Sequence, residues 1–375
     1  MINFWSYKDE YKNNRSKLLS LIDKSIKSGQ IFFGKNLNTF ENNFKKKYKS
    51  KYGIAVGSGT DALLISLLSL NIKKGDEVIT AANTAIPTIS AIVNSGAKPI
   101  LVDVNDQYLI DYNKISKVIT KKTKAIIPVH LYGKPCDLDK ILKIARKYNL
   151  YVVEDCAQAQ GAKFKNKYVG TFGSFGCFSF YPTKILGGYG DGGFILTDDY
   201  QLYKRAKNIR FYGIDTVDKK NKFFKKYYSN ISGLNSRLDE INSSILNFKL
   251  KKIDNFIKKR IAIAKVYNKY LQNTSLILPE NNKKTFDVFH LYTVFHKKRD
   301  IITNELIKNG VQTRVIYPYP IHKMRGYKKY FINKRFPISE IQSKGIFSLP
   351  LYPNLKIKDV KIVCNKLIKI LNKLN

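Results

Sequence analysis

Cysteine is scarce in this chain of 375 residues, and the four that occur, Cys136, Cys156, Cys177 and Cys364, show no C-x-x-C spacing. This argues against a disulfide scaffold and predicts a protein of the reducing cytoplasm. No uninterrupted apolar run approaches the roughly 20 residues that cross a bilayer, and the first residues lack the apolar core of a signal peptide. We therefore expect a soluble, cytoplasmic protein without a membrane partner.

Acidic residues and arginine are also rare. Lysine and arginine number 67 against 28 aspartates and glutamates, which gives a formal charge of +39, yet arginine occurs only ten times. Arginine is the usual side chain for base recognition and for bidentate hydrogen bonds to phosphate. An excess of lysine alone is therefore more typical of solvated surface. A basic nucleic-acid-binding protein stays the alternative from a different class, although we predict no nucleic-acid partner.

Apolar residues make up 44% of the chain, which is typical of a globular protein. Short segments that are apolar throughout alternate with helix-like segments over the first half of the chain. The predicted strands are residues 53–56, 77–80, 99–103, 125–129 and 151–155. This alternation predicts an α/β fold with a mostly parallel sheet that helices cover on both faces.

The second half of the chain has a different pattern. Short strands are predicted at 176–180 and 193–197, followed by a mobile basic loop from 214 to 229 and a long helix from about 239 to beyond 270. We predict two domains. Residues 1–245 would hold the N-terminal helices and a large α/β domain, and residues 246–375 a long connecting helix and a small α+β domain.

A glycine-rich turn follows the first predicted strand, with the sequence Gly57-Ser-Gly-Thr-Asp-Ala62. It fits the G-x-G-x-x-A pattern of dinucleotide-binding proteins, but the acidic pair Asp76-Glu77 lies at the start of the second strand instead of at its end, which disfavours a dinucleotide oxidoreductase. The amides of a helix N-terminus, helped by the Ser58 and Thr60 hydroxyls, still predict a phosphate site. An ordinary capped turn is the alternative.

Two further residues carry chemistry. Asp155 ends an apolar strand, where ligands of open α/β sheets bind, and a buried carboxylate there needs a cationic partner such as a protonated pyridine nitrogen. A structural ion pair or helix cap is the alternative for Asp155 alone. Lys184 precedes five glycines within seven positions, and burial in such a loop would make its amine a nucleophile able to form a Schiff base.

Several ordered motifs together resemble the DegT/DnrJ/EryC1/StrS family of pyridoxal-phosphate (PLP) dependent sugar aminotransferases, and this resemblance spans nearly the whole chain. The motifs are Gly57-Ser-Gly-Thr-Asp-Ala62, Gly75-Asp-Glu-Val78, Pro128-Val-His-Leu-Tyr-Gly133, Val153-Glu-Asp-Cys-Ala-Gln158, Phe180-Tyr-Pro-Thr-Lys184, Tyr189-Gly-Asp-Gly-Gly193, Gly233-Leu-Asn-Ser-Arg-Leu-Asp239, Tyr317-Pro-Tyr-Pro-Ile-His322 and Ser348-Leu-Pro-Leu-Tyr-Pro353. The resemblance implies fold type I, a three-layer α/β/α large domain with a smaller C-terminal domain.

The resemblance also implies the site residues. Lys184 and Asp155 would be catalytic, as the Schiff-base lysine and the partner of the pyridinium nitrogen. The full cofactor-binding set would be Ser58, Gly59, Thr60, Ala85, Asp155, Gln158, Ser179, Lys184 and Asn235. Asn235 would reach the cofactor phosphate of a neighbouring subunit, which implies a homodimer with shared active sites. Ala85 stands where relatives often place an aromatic residue over the cofactor ring.

The implied activity is transfer of an amino group, from L-glutamate, to the ketone of a nucleotide-linked keto-deoxysugar for amino-sugar and glycan biosynthesis. A dTDP-3-keto-6-deoxyhexose is favoured over a 4-keto sugar. Tyr181, Tyr189, Tyr317 and His322 would bind substrate, and the basic loop 218–228 suits a nucleotide diphosphate as well as it suits plain solvent. No metal site is predicted. A PLP-dependent dehydratase or an inactive regulator on the same scaffold is the alternative, which the lysine at position 184 disfavours.

Overall fold

The computed structural model of the protein describes residues 1–215, 228–280 and 282–374. The predicted basic loop at 218–228 lies outside these ranges except for Tyr228. None of the helices in these ranges is long and apolar enough to cross a membrane.

The helices and strands follow the predicted alternation closely. The helices are α1 (Lys8–Lys27), α2 (Lys35–Tyr48), α3 (Gly59–Ser69), α4 (Ile86–Asn94), α5 (Tyr112–Ile115), α6 (Leu138–Lys147), α7 (Tyr200–Arg210), α8 (Glu240–Leu250), α9 (Ile253–Leu271), α10 (Arg299–Lys308), α11 (Pro337–Gly345) and α12 (Ile357–Leu374). The strands are β1 (Tyr52–Val56), β2 (Glu77–Ala81), β3 (Lys98–Val102), β4 (Thr123–Ile127), β5 (Tyr151–Asp155), β6 (Lys163–Phe164), β7 (Lys167–Tyr168), β8 (Phe175–Ser179), β9 (Gly193–Thr197), β10 (Thr285–Phe286), β11 (Tyr292–Phe295) and β12 (Ile346–Leu349).

A seven-stranded sheet with the order β1-β9-β8-β5-β4-β2-β3 forms the centre of the molecule. All its pairings are parallel except the two made by β9, which is antiparallel to both β1 and β8. The strands are almost fully buried and rich in valine and isoleucine, as a sheet covered on both faces requires. The predicted α/β class with a mostly parallel sheet is confirmed.

This topology brings distant segments to one edge of the sheet. Because β9 is antiparallel to both its neighbours, β1 and β8 run in the same direction as β5, and their carboxyl ends meet at the same edge. Gly193, the first residue of β9, pairs there with Val56 on one side and with Ser179 on the other. Ligands of open α/β sheets bind at this carboxyl edge.

The C-terminal part has its own apolar core. The antiparallel pair β11–β12 packs with α9, α10 and α12 around buried Tyr292, Phe347 and Leu367. The segment that contains Ile321 and Phe336 instead contributes to the core beside the seven-stranded sheet. The division at residues 245 and 246 stays a prediction.

One predicted element differs clearly from the structure. The long helix expected from about 239 is two helices, α8 and α9, separated at Lys251 and Lys252. The Lys252 amide bonds the Lys249 carbonyl over a tight turn, and α8 then packs on α1 and α2 whereas α9 packs on α12. The apolar period continues across the break, so hydrophobic spacing alone does not reveal it.

Candidate active site

A pocket opens at the carboxyl edge of the sheet, and it collects most of the residues that the sequence singles out. The predicted residues on its wall are Ser58, Gly59, Thr60, Ala85, Asp155, Gln158, Ser179, Tyr181, Lys184 and Tyr317. The wall also includes Leu63, Ile86, Pro87, Val129, Ala157 and Asp191. Residues from six separate chain segments therefore converge on one cavity.

The first wall of the pocket is the N-terminus of α3. The Ser58 hydroxyl caps this helix by accepting a hydrogen bond of 3.0 Å from the Asp61 amide. Gly59 packs so tightly that a Cβ on it would lie 2.6 Å from Cβ of Ser179. A Cβ on Gly193 would lie 2.1 Å from the Ser58 carbonyl oxygen. The glycines thus bring backbone amides at a helix N-terminus to the cavity, an arrangement that suits a phosphate.

Asp155 lies on the pocket floor, buried at the end of β5. Its Oδ2 accepts a 2.8 Å hydrogen bond from the Thr88 hydroxyl, and its Oδ1 accepts a 3.1 Å bond from the Ala157 amide. Burial raises the pKa of the Asp155 carboxyl, and these two bonds and the charge of Lys184 oppose that rise. A cation bound in the pocket would stabilise the ionised form further.

Lys184 faces Asp155 across the same pocket. It stands in a turn in which its amide bonds the Tyr181 carbonyl, and its side chain is partly buried against the cavity. Burial lowers the pKa of the Lys184 amine to about 8, and the negative charge of Asp155 counteracts part of that shift. Near neutral pH the unprotonated, nucleophilic fraction of this amine is therefore far larger than that of an ordinary lysine.

The glycine-rich segment after Lys184 folds back onto the lysine turn. A Cβ on Gly187 would meet the Pro182 carbonyl oxygen at 2.2 Å, and one on Gly188 would meet Oδ1 of Asn242 at 2.3 Å. Asn242, on α8, fastens the segment by donating a 2.8 Å hydrogen bond to the Asp191 carbonyl. The glycines are needed here because the backbone passes so close to its neighbours.

Gln158 is fixed on the opposite side of the pocket. Its Oε1 accepts a 2.8 Å bond from the Tyr132 amide, and its Nε2 donates to the Tyr317 hydroxyl at 3.0 Å. Burial raises the pKa of Tyr317, with a contribution from the charge of Asp155, so its phenol stays protonated. Since Gln158 donates to the phenol oxygen, the phenol proton is available to a bound ligand.

Three predicted residues lie elsewhere. Asn235 is exposed and bridges to Phe211, away from the wall of this protomer's pocket. The Tyr189 hydroxyl lies 3.2 Å from a carboxylate oxygen of Glu10 on α1. His322 is buried, with Nε2 2.9 Å from Oε1 of Glu340. Their predicted contacts with cofactor or substrate stay predictions.

A second polar cluster lies behind the pocket, formed by His130, Glu154 and Cys156, and its ligand atoms are close enough to hold a metal ion. Its main polar atoms already have partners. Nδ1 of His130 accepts from the Cys136 amide, so Nε2 carries the proton and faces Glu154 at 3.2 Å. The Glu154 carboxylate also accepts three backbone amides. The cluster is therefore a hydrogen-bonded group next to Asp155, with Glu154 and Cys156 on either side of it in the chain.

Thr88, Tyr132 and Asn242 are functional candidates to which the sequence assigned no role, although Tyr132 lies inside the motif Pro128-Val-His-Leu-Tyr-Gly133. Thr88 was visible in the sequence, in Asn83-Thr-Ala-Ile-Pro-Thr88, but its contact with Asp155 depends on how α4 packs against β5. Asn242 acts through a pairing between segments more than fifty residues apart. Local sequence carries no signal for such contacts.

The residues of the pocket fit pyridoxal phosphate. A buried carboxylate that accepts two hydrogen bonds suits a protonated ring nitrogen, an amine of lowered pKa suits an aldehyde, and the N-terminus of α3 suits a phosphate. The fold and the pocket thus define a PLP-dependent enzyme of fold type I. The sequence profile of the DegT/DnrJ/EryC1/StrS aminotransferase family matches residues 12–368, and the chain belongs to that family.

Relatives of known activity cover nearly the whole chain. A dTDP-3-amino-3,6-dideoxy-alpha-D-galactopyranose transaminase of Aneurinibacillus thermoaerophilus is 39% identical over 365 residues, which are 97% of this chain and 98% of the relative. A dTDP-3-amino-3,4,6-trideoxy-alpha-D-glucose transaminase of Micromonospora megalomicea is 37% identical over 359 residues, which are 94% of each protein. The chain is accordingly an aminotransferase, and its cofactor is pyridoxal phosphate.

The fold agrees with solved structures of the family. The structure of DesV from S. venezuelae superposes with a TM-score of 0.93 at 33% sequence identity, and the match covers 98% of both chains. The expectation of fold type I is confirmed.

Proposed function

We propose that this enzyme transfers an amino group from L-glutamate to the ketone of a nucleotide-linked keto-deoxysugar, with a dTDP-3-keto-6-deoxyhexose as the favoured acceptor. The observation that carries the proposal is the pair formed by Lys184 and Asp155 in one pocket at the carboxyl edge of the sheet. The acceptor is inferred from two relatives that act on dTDP-3-amino sugars and cover nearly all of this chain.

Lys184 would do the covalent and proton-transfer work. Bound pyridoxal phosphate supplies an aldehyde for the lysine amine and a ring that withdraws electrons. The amine would react as the neutral base, a form that its lowered pKa makes more abundant near neutral pH. Whenever its Nζ is free, Lys184 would take up a proton and return it within the pocket.

The other residues of the pocket hold charges in place. Asp155 would hold a positive charge on the ring, and its hydrogen bonds to Thr88 and Ala157 fix the carboxylate without protonating it. The amides at the start of α3, with the Thr60 and Ser179 hydroxyls, would hold the phosphate. Tyr317 would offer its phenol proton to a ligand oxygen, with Tyr181 at the exposed rim.

Three parts of the proposal rest on the sequence pattern and the family resemblance. Asn235 would complete the phosphate site of a second subunit in a cytoplasmic homodimer, and its exposure in the protomer is compatible with that role. Tyr189 and His322 would contact substrate. Residues 1–245 and 246–375 are proposed as the large and small domains.

A dehydratase or an inactive regulator on the same scaffold is the competing function. Reduction of the cofactor-loaded enzyme with borohydride, followed by peptide mapping, tests whether Lys184 forms the Schiff base that the aminotransferase proposal requires. We expect the pyridoxyl group on Lys184, in a peptide that carries no other lysine between Lys167 and Lys204. An adduct at another lysine, or none, would refute the assignment of Lys184.

Product analysis tests the substrate. The enzyme would be incubated with L-glutamate and a panel of dTDP-, UDP- and GDP-linked 3-keto and 4-keto sugars, and the products analysed by NMR. We expect nitrogen from labelled glutamate at C3 of a dTDP-sugar. The Lys184→Ala variant should keep its fold and lose turnover. Amination at C4, or of a UDP- or GDP-sugar alone, would overturn the favoured acceptor.

A further inference from the structure

A chain of hydroxyl groups leads from the interior to the carboxylate on the pocket floor. Oγ1 of Thr88 lies 2.8 Å from Oδ2 of Asp155, and Oγ1 of Thr84 lies 3.0 Å from Oγ1 of Thr88. Both threonines are about 99% buried or more. The two hydroxyls are therefore shielded from bulk water, and they lead to a carboxylate that faces the pocket.

The donors and acceptors in this row of hydroxyl groups follow from the number of protons that each group can donate. An ionised carboxylate only accepts hydrogen bonds, and a hydroxyl has one proton to give. The proton of Thr88 therefore goes to Asp155, and Thr84 must donate to the oxygen of Thr88. Each bond polarises the next, so the Thr84 hydroxyl strengthens the one that reaches the carboxylate.

The backbone holds both hydroxyls firmly. Thr88 lies in the first turn of α4, where its amide bonds the Ala85 carbonyl and Pro87 restricts the turn. Thr84 lies just before that helix, in the segment that follows β2. With the Ala157 amide on the other oxygen, Asp155 is fixed at both ends of its carboxylate.

We propose that Thr88, held by Thr84, is a positioning residue that keeps Asp155 ionised and aimed at a protonated ring nitrogen, and so sets how tightly the chain retains its cofactor. The inference rests on the proposed function, because it takes the pyridinium as the partner of Asp155. Because the charged carboxylate is already oriented, no free energy is spent on reorienting it when the ligand binds.

Other groups also act on Asp155. Lys184 and His130 favour its charged form, and Tyr317 faces it from the opposite wall. The buried thiols of Cys156 and Cys177 lie near it on the two adjoining segments. None of these groups is altered by a change at Thr88, so such a change isolates the contribution of its hydroxyl.

The test is cofactor affinity in the Thr88→Val variant, which keeps the side-chain shape and removes the hydroxyl. A hydrogen bond to a charged group contributes enough that its loss should weaken pyridoxal phosphate binding by roughly 10- to 100-fold. The experiment measures binding to cofactor-free enzyme by fluorescence quenching. A cofactor analogue with carbon in place of the ring nitrogen is measured in parallel.

The analogue separates a positioning role from a structural one. If Thr88 acts through Asp155 and the ring nitrogen, Thr88→Val and the unmodified enzyme should bind the analogue with affinities within about twofold of each other. The analogue has no ring nitrogen, so neither enzyme can form the ion pair between Asp155 and that nitrogen. Thr88→Ser should restore binding of the natural cofactor. Equal weakening for both compounds, or no weakening for either, would overturn the proposal.

Two further variants complete the design. Thr84→Val should weaken natural cofactor binding less than Thr88→Val does, and it keeps the proposal testable if the latter fails to fold. Thr80→Val is the matched control: this buried threonine on β2 donates to the Ile127 carbonyl, and its loss should leave cofactor affinity unchanged. If borohydride fixes no cofactor on Lys184 in the unmodified enzyme, the proposed function fails instead.

Discussion

Lys184 and Asp155 have opposite requirements, and one pocket meets both. Removal from water favours the neutral lysine, and the same removal disfavours the ionised aspartate. Hydrogen bonds to Asp155 from Thr88 and from the Ala157 amide offset part of the cost of its desolvation, whereas the Lys184 amine keeps a lowered pKa. A nucleophile and an anion can therefore coexist a short distance apart.

The pKa of Lys184 leads to a prediction at the residue scale. In cofactor-free enzyme its reactivity should rise with pH around a midpoint near 8, well below the 10.5 of an ordinary lysine. In Asp155→Asn the midpoint should move to still lower pH, since the charge that favours the ammonium form is removed. Brief labelling with an amine-selective reagent at a series of pH values, followed by mass spectrometry, measures this.

The sequence makes this measurement practical, because Lys184 is the sole lysine between Lys167 and Lys204. Asp191→Asn is the matched control. Its carboxylate lies on the pocket wall but is exposed to solvent, so water should screen it and the midpoint should stay the same. A midpoint near 10 in the unmodified enzyme, or a rise in Asp155→Asn, would contradict the prediction.

At the scale of elements, the glycine-rich segment between β8 and β9 positions the lysine. Gly193→Ala should destabilise the protein by about 1–3 kcal/mol, because its Cβ would overlap the Ser58 carbonyl oxygen at 2.1 Å. It should also weaken cofactor binding, since relieving the overlap must move either β9 or the start of α3. Urea unfolding and cofactor titration measure the two effects.

Gly190 provides the comparison within the same segment. A Cβ there would have its nearest neighbour at 4.0 Å, on Nδ2 of Asn242, so Gly190→Ala should change stability by less than about 0.5 kcal/mol. If the two alanine variants behaved alike, close packing at Gly193 would not be what holds β9 against the start of α3.

Sequence predicted the elements of this fold better than it predicted their contacts. The apolar strands β1 to β5 stand out because each is buried on both faces and bounded by glycine or polar residues. The interruption between α8 and α9 was missed because its cause is packing against different partners. Most of the predicted site residues meet at the pocket, yet Thr88 depends on a contact between β5 and α4.

At the scale of the whole molecule, the net charge says little about the site. Only Lys98 is basic between Gly75 and Asp111, and residues 185–202 contain no lysine or arginine. These segments supply part of the pocket wall and the glycine-rich segment. The segments around Asp155 therefore carry few of the excess lysines. Further positive charge there would compete with the cofactor's ring nitrogen for the Asp155 carboxylate.

The proposed homodimer can be tested by mixing inactive variants. Lys184→Ala damages its own pocket, while Asn235→Asp would repel the phosphate in the pocket of its partner. After subunit exchange, a hybrid dimer would hold one intact site, and about a quarter of the unmodified activity should return if exchange is random. Activity assays on the mixture, against each variant alone, measure this.

The control mixture pairs Lys184→Ala with Asp155→Asn. Both residues line the pocket of a single protomer, so every site in that hybrid carries one defect and activity should stay absent. Recovery in the control, or no recovery with Asn235→Asp despite demonstrated exchange, would contradict shared active sites.

The position of β9 has a consequence for how the protein is made. Tyr52 on β1 pairs with Thr197, and Glu240 binds the backbone amides of Gly34, Asn36 and Leu37. The early segments thus lack their partners until the ribosome has produced much of the chain. Such long-range pairing slows folding, and apolar strands stay unpaired and exposed until their partners are made. The start of α3, which forms the predicted phosphate site, is therefore translated early, but it meets β8 and β9 only after much more of the chain has been made.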